Sequence, residues 1–224
     1  MITREALQFL EDLAANNNTE WMHANKKRYD SYKKNYHAFI ASVLEKMKPL
    51  DPSLEPLEAK NCTFRINRDI RFSKDKSPYK TKMGVWLTQN KFDKNSPGYY
   101  IHFEKGKSFI AGGIWCPEPQ VLKKIRKEIA FFYDDLENIL NDPDFKNGFS
   151  ALDRDENTVL KKAPKDFDPN HPAIDFLKLK SFTASQKIDD ALFLDKNFSA
   201  IVAQKLIALK PLNDFLLRAI ETEE

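Results

Sequence analysis

GYYIHFEKGKSFIAGGIW, residues 98–115, reads as a β-hairpin: a strand over 98–104, a Lys105-Gly106-Lys107 turn, and a returning strand over 108–115. A further strand is expected over 83–89, reached through a loop over 74–80. Residues 62–73 add a fourth. Cys62, Phe64, Ile66, Ile70 and Phe72 are apolar there, while Thr63, Arg65, Asn67, Asp69 and Arg71 alternate with them, as a half-buried strand requires. Arg68 breaks the apolar row. The expectation is an antiparallel sheet of four or more strands.

Helical periodicity brackets this sheet. Thr3 is suited to cap a helix carrying Leu7, Leu10 and Leu13, which the Asn16-Asn17-Asn18 run stops. Asn18 or Thr19 opens a second helix, long or broken once, with Trp21, Tyr29, Tyr32, Tyr36, Phe39, Ile40, Val43 and Met47 at three- and four-residue steps. A third runs from Pro117 or Pro119 through Ile125, Ile129 and Leu136 to Ile139. Stretches 158–163 and 177–182 are open to reading as added strands, and 198–209 and 212–220 as helices separated by Pro211. The class is α+β, an antiparallel sheet packed with N-terminal and C-terminal helices. No Gly/Ser-rich linker interrupts the chain, so 1–224 is expected to form a single domain.

Composition bounds the function. Hydrophobic residues make up 42% and charged residues 31% of the 224, which is globular usage. No apolar run approaches the roughly 20 residues that cross a bilayer, and no secretory h-region opens the chain, so a cytoplasmic protein without membrane association is expected. Cys62 and Cys116 are expected to be free, small buried hydrophobes on strands. No CxxC or HExxH occurs and the four His are scattered, so no metal and no cofactor is expected.

The net charge of +3 hides an asymmetry. Between Lys60 and Lys82 eight Lys or Arg stand against Asp69 and Asp75, a net of +6; between Asp134 and Asn157 two basic residues stand against eight acidic ones, a net of −6. The densest chemistry is RINRDIRFSKDKSPYKTK, residues 65–82. On a strand face Asp69 would sit between Arg65 and Arg71 and hold either by a bidentate pair, presenting a donor fork suited to phosphate or carboxylate. Lys74, Lys76, Tyr79 and Lys80 follow in the loop, with Pro78 stiffening it. Arg68, on the core side, needs compensation. An ion pair, a bulge that turns it outward, or a pocket opening there would each supply it. The ligand-binding set is therefore Arg65, Arg68, Asp69, Arg71, Lys74, Lys76, Tyr79 and Lys80; cross-strand pairing and solvated edge lysines are the bland alternative. A secondary set, Trp21, Asn25, Arg28 and Tyr29, lies along one side of the second helix, where aromatics among cations suit base stacking or simply form core.

The asparagine run followed by Trp21, Asn25 and Tyr29, together with RINRDIRFSKDKSPYK over 65–80, resembles the family known as domain of unknown function 2461. The resemblance extends into LKKAPKDFDPNHPAIDFLKLKSF, residues 160–182, and so implies one domain over nearly the whole chain. Met22 stands where Phe is expected in similar sequences. The resemblance brings no reaction or catalytic residue with it.

Three functions compete. A module binding a phosphorylated small ligand or nucleic acid ranks first, on the +6 segment. An enzyme acting on a phosphoester or other anion ranks second, with Arg65, Arg68 and Arg71 stabilising charge and Asp69, Asp75 or Tyr79 moving protons. A scaffold pairing the basic and acidic segments across copies ranks third, with the oligomeric state left open.

Overall fold

The computed structural model describes residues 1–89 and 93–222. Helix α1, Arg4–Ala15, starts where the Thr3 hydroxyl accepts from the Ala6 backbone N–H at 3.2 Å. Helix α2, Thr19–Ala24, starts where the Asn18 side chain accepts from Trp21 N–H at 2.8 Å. Asn25 leaves helical geometry (φ −106°, ψ 22°), which breaks the long helix once before α3, Lys26–Met47.

Four strands follow: β1, Met83–Leu87; β2, Gly98–Phe103; β3, Phe109–Ile114; and β4, Phe182–Lys187. They form an antiparallel sheet in the order β1-β2-β3-β4. The hairpin falls where the alternation and the Lys-Gly-Lys turn put it. Residues 62–73 do not form a strand. Only two isolated bridges form near them, Thr63 with Val85 and Asn67 with Tyr79. Beyond Arg68 a side chain competes with the ladder: Asp69 accepts from Arg71 N–H at 3.3 Å in a local turn. Phe72 is accordingly 94% exposed. The fourth strand comes instead from β4, later than the stretch expected over 177–182. Residues 158–163 contribute only the Val159–Leu179 bridge.

The helix expected from Pro119 to Ile139 is broken at Phe132 into α4, Pro119–Phe131, and α5, Tyr133–Asn141, with Asp134 and Asp135 suiting the first turn of α5. Helices α6, Pro143–Phe149; α7, Ile174–Leu177; α8, Phe198–Ile207; and α9, Lys210–Glu221, complete the chain. Pro211 lies in the first turn of α9, where its missing N–H costs nothing, rather than between the two helices. Among the described residues no helix is long and apolar enough to cross a membrane.

Internal packing divides the chain into two compact units. One comprises Met1–Leu87, Tyr100–Phe109 and Lys187–Gln204. Its core is an aromatic cluster in which Phe39 of α3 meets Phe103 of β2 edge-on at 5.4 Å and stacks on Phe198 at 5.2 Å. Cys62 is buried there. The other unit holds the described residues of Thr88–Tyr99, Ile110–Gln186 and Lys205–Glu224. In it α4 packs on α9, and Arg218 bonds both the buried Glu128 at 2.5 Å and Asp135 at 2.8 Å. Cys116 in this unit is exposed and takes a positive φ of 43°, contrary to the buried strand position expected for it.

Candidate anion site

A cleft of about 500 Å³ lies within the first unit, between α3, residues 63–67 and the approach to β1. Helix α3 supplies one wall because Tyr29, Tyr32, Lys33 and Tyr36 follow the three- and four-residue steps that bring side chains to one helix face. The rings are stacked, Tyr29 to Tyr32 at 6.2 Å and Tyr32 to Tyr36 at 6.0 Å between centroids. Phe9 of α1 packs against Tyr32 at 5.1 Å. The Tyr36 hydroxyl donates to the Gly84 carbonyl and fastens α3 to β1. Burial pushes the Tyr32 and Tyr36 phenols up, so both stay neutral.

The opposite wall is held in place by Asn17. Its side chain donates to the Tyr79 carbonyl at 2.9 Å and accepts from Tyr79 N–H at 3.0 Å, as a neighbouring strand would. Lys80 N–H then bonds the Ile66 carbonyl at 2.7 Å, and Arg68 N–H the Pro78 carbonyl at 2.9 Å. These bonds align Arg65, Asn67, Lys80 and Lys82 along the cleft.

The charges there do not cancel. Among the described residues neither Arg65, Lys80 nor Lys33 has a carboxylate partner, and Lys82 reaches Glu104 only at 3.7 Å. Burial lowers the Lys80 ammonium below its ordinary value, and the like charges of Arg65 and Lys82 lower it further. Its Nζ lies 5.4 Å from the Phe64 ring centroid.

The other residues expected at the site separate from this group. Arg71 is spent on Asp69 in a fork with bonds of 3.0 and 2.6 Å, which holds the Asp69 carboxyl below its usual range. Arg68 bonds Asp75 at 2.5 Å and the Ser77 carbonyl at 3.0 Å, so an ion pair within its own loop supplies the compensation it needs. The Asp75 carboxyl, bonded first by Ser77 and then by Arg68, falls to about 2. Lys74 is exposed, and Lys76 bonds the Ile70 carbonyl at 2.9 Å. Tyr79 is buried, held by its backbone. Arg68, Asp69, Asp75 and Lys80 border a second hollow of about 620 Å³ with Lys82 and Glu104.

Of the secondary set only Tyr29 lines the cleft. Trp21 packs on Phe9 at 5.8 Å, Asn25 bonds the Trp21 carbonyl at 2.9 Å, and Arg28 bonds Asp12 at 2.5 Å. Sequence reasoning missed Lys33, Tyr36 and Tyr100 as cleft residues, and weighed Tyr32, beside Tyr29, between base stacking and core. Lys33 had a usable signal, four residues after Tyr29 and three before Tyr36 on the same helix face. Among the described residues no group of three or more His, Cys, Asp or Glu is placed to hold a metal ion.

The fold is thus α+β, with a tyrosine-walled cleft in one unit that Arg65, Lys80 and Lys82 also line. Residues 5–215 match the family described as conserved hypothetical protein (DUF2461), and the chain belongs to that family. No curated protein and no solved structure matches it.

Proposed function

We propose that the cleft binds the phosphate of a phosphorylated small ligand. The observation that carries this is that Arg65, Lys80 and Lys33 line one hollow and, among the described residues, none of them is in a salt bridge with a carboxylate. A guanidinium offers a planar fork to two phosphate oxygens, and ammonium groups add charge from the sides. The volume of about 500 Å³ suits a small molecule, and the tyrosine wall suits an unsaturated or sugar-like body beside the phosphate.

Titration calorimetry with inorganic phosphate and with a mononucleotide tests the reading. Arg65→Ala and Lys80→Ala are each expected to weaken binding about tenfold or more, the worth of a charge-assisted bond, while Arg71→Ala, whose charge Asp69 already holds, leaves it unchanged. Because Lys80 loses its proton at a lower pH than an ordinary lysine, affinity is expected to fall on the alkaline side earlier than for ordinary lysines. Equal binding by wild type and Arg65→Ala would overturn the assignment.

One observation favours a nucleic acid as the source of the phosphate. Phe72 stands 94% exposed beside Arg71, with Lys74 and Lys76 nearby in sequence, an arrangement suited to stacking a base next to a backbone. That reading requires single-stranded binding that falls steeply with salt and is lost in Phe72→Ala.

A further inference from the structure

From Tyr100 onward every second residue of β2 and its extension carries a titratable group: Tyr100, His102 and Glu104, which the period of a strand places on one face. They are joined in a line. The Tyr100 hydroxyl lies 3.0 Å from His102 Nδ1, and His102 Nε2 lies 3.2 Å from a Glu104 carboxylate oxygen. His102 is buried, and its ring stacks on Phe109 at 4.8 Å and 21°, which fixes its plane. Tyr100 borders the cationic cleft and Glu104 the second hollow, so the line runs from one to the other.

The direction of proton flow follows from Glu104. Its carboxyl is held below the usual range, first by the His102 bond and then by Lys82 and Lys107, so it is ionised and only accepts. In the neutral tautomer that donates from Nε2 to this carboxylate, His102 Nδ1 is an acceptor. The Tyr100 O–H then donates to Nδ1. Burial keeps that phenol protonated at rest. Lys82 and Lys107 face Glu104, Tyr36 of α3 faces Tyr100, and Phe109 of β3 lies against His102.

Resting on the reading of the cleft as a phosphate site, we infer that it hydrolyses phosphate esters, with Tyr100 as the general base and His102 and Glu104 as its positioning pair. A water oxygen attacks phosphorus. Its proton passes to the Tyr100 oxygen as the phenol proton moves to His102 Nδ1, forming an imidazolium against the Glu104 carboxylate. The phosphorus–oxygen bond to the alcohol breaks on the side opposite the attacking water, the departing alkoxide takes a proton from solvent, and the imidazolium returns its proton through Tyr100 to solvent. One water is consumed, and phosphate and an alcohol are released. Arg65 and Lys80 hold the phosphoryl oxygens as charge develops.

The test is release of nitrophenolate from p-nitrophenyl phosphate and bis(p-nitrophenyl) phosphate, run beside calorimetry with inorganic phosphate. Wild type is expected to turn over one of the two. Tyr100→Phe should keep phosphate binding and lower kcat about a hundredfold. His102→Asn should move the rising limb of the pH–rate profile to higher pH, because the phenol must then lose its proton without the imidazole. Phosphate binding without turnover of either ester, or turnover unaffected by Tyr100→Phe, would overturn the inference and leave the binding reading standing. No phosphate binding would overturn both.

Discussion

Asn17 does with one amide what a paired strand does with two backbone groups: it satisfies both the N–H and the carbonyl of Tyr79. Removing it leaves two groups of a buried residue without partners, so Asn17→Ala is expected to cost about 1–3 kcal/mol in urea-unfolding stability. An unchanged unfolding midpoint would show that water replaces the amide at no cost. The three members of the Asn16-Asn17-Asn18 run have separate tasks, Asn16 closing α1, Asn17 clamping Tyr79 and Asn18 opening α2. Only a helix stop and a helix cap were legible, because the clamp joins residues 62 positions apart. Arginine shows the same boundary. The Asp69–Arg71 fork was legible as a pairing between neighbours, whereas the pairing of Arg68 with Asp75 depends on how the loop folds back.

Among the elements, the hairpin, β1 and the terminal helices followed from periodicity and turn chemistry, while 62–73 did not. Alternation reports that a segment has two sides; it does not supply a ladder partner. Residues 63–67 of that segment instead line the cleft as irregular backbone, pinned by bridges at Thr63 and Asn67. β4 was displaced because SFTASQK carries a weaker apolar pattern than the LKLKSF stretch before it, which is spent on a helical turn and a bridge. The join of β3 to β4 depends on Gly113, whose φ is 108° and where a Cβ would lie 2.0 Å from the Phe182 carbonyl oxygen. Gly113→Ala is therefore expected to destabilise by about 3 kcal/mol or more, seen as a lower thermal midpoint. A midpoint equal to wild type would mean that β4 can shift away freely.

At the scale of the molecule, the sequence shows totals and the fold decides what remains unspent. In the +6 segment Asp69 and Asp75 absorb Arg71 and Arg68, and Arg65 and Lys80 carry the surplus into the cleft. In the −6 segment Asp135 is taken by Arg218, and Asp153 by the Thr183 and Ser185 hydroxyls. No count of charges along the chain could have made that division, because it depends on which carboxylate lies within a hydrogen bond of which guanidinium. In the proposed function this unspent charge forms an oxyanion seat. Its most direct test is a crystal structure of the protein soaked in inorganic phosphate. An anion is expected in the cleft within hydrogen-bonding distance of both the Arg65 guanidinium and the Lys80 ammonium, and is expected to be absent from crystals of Arg65→Ala. Phosphate bound only at Arg71, Lys74 or Lys76, or a cleft empty at saturating phosphate, would contradict it.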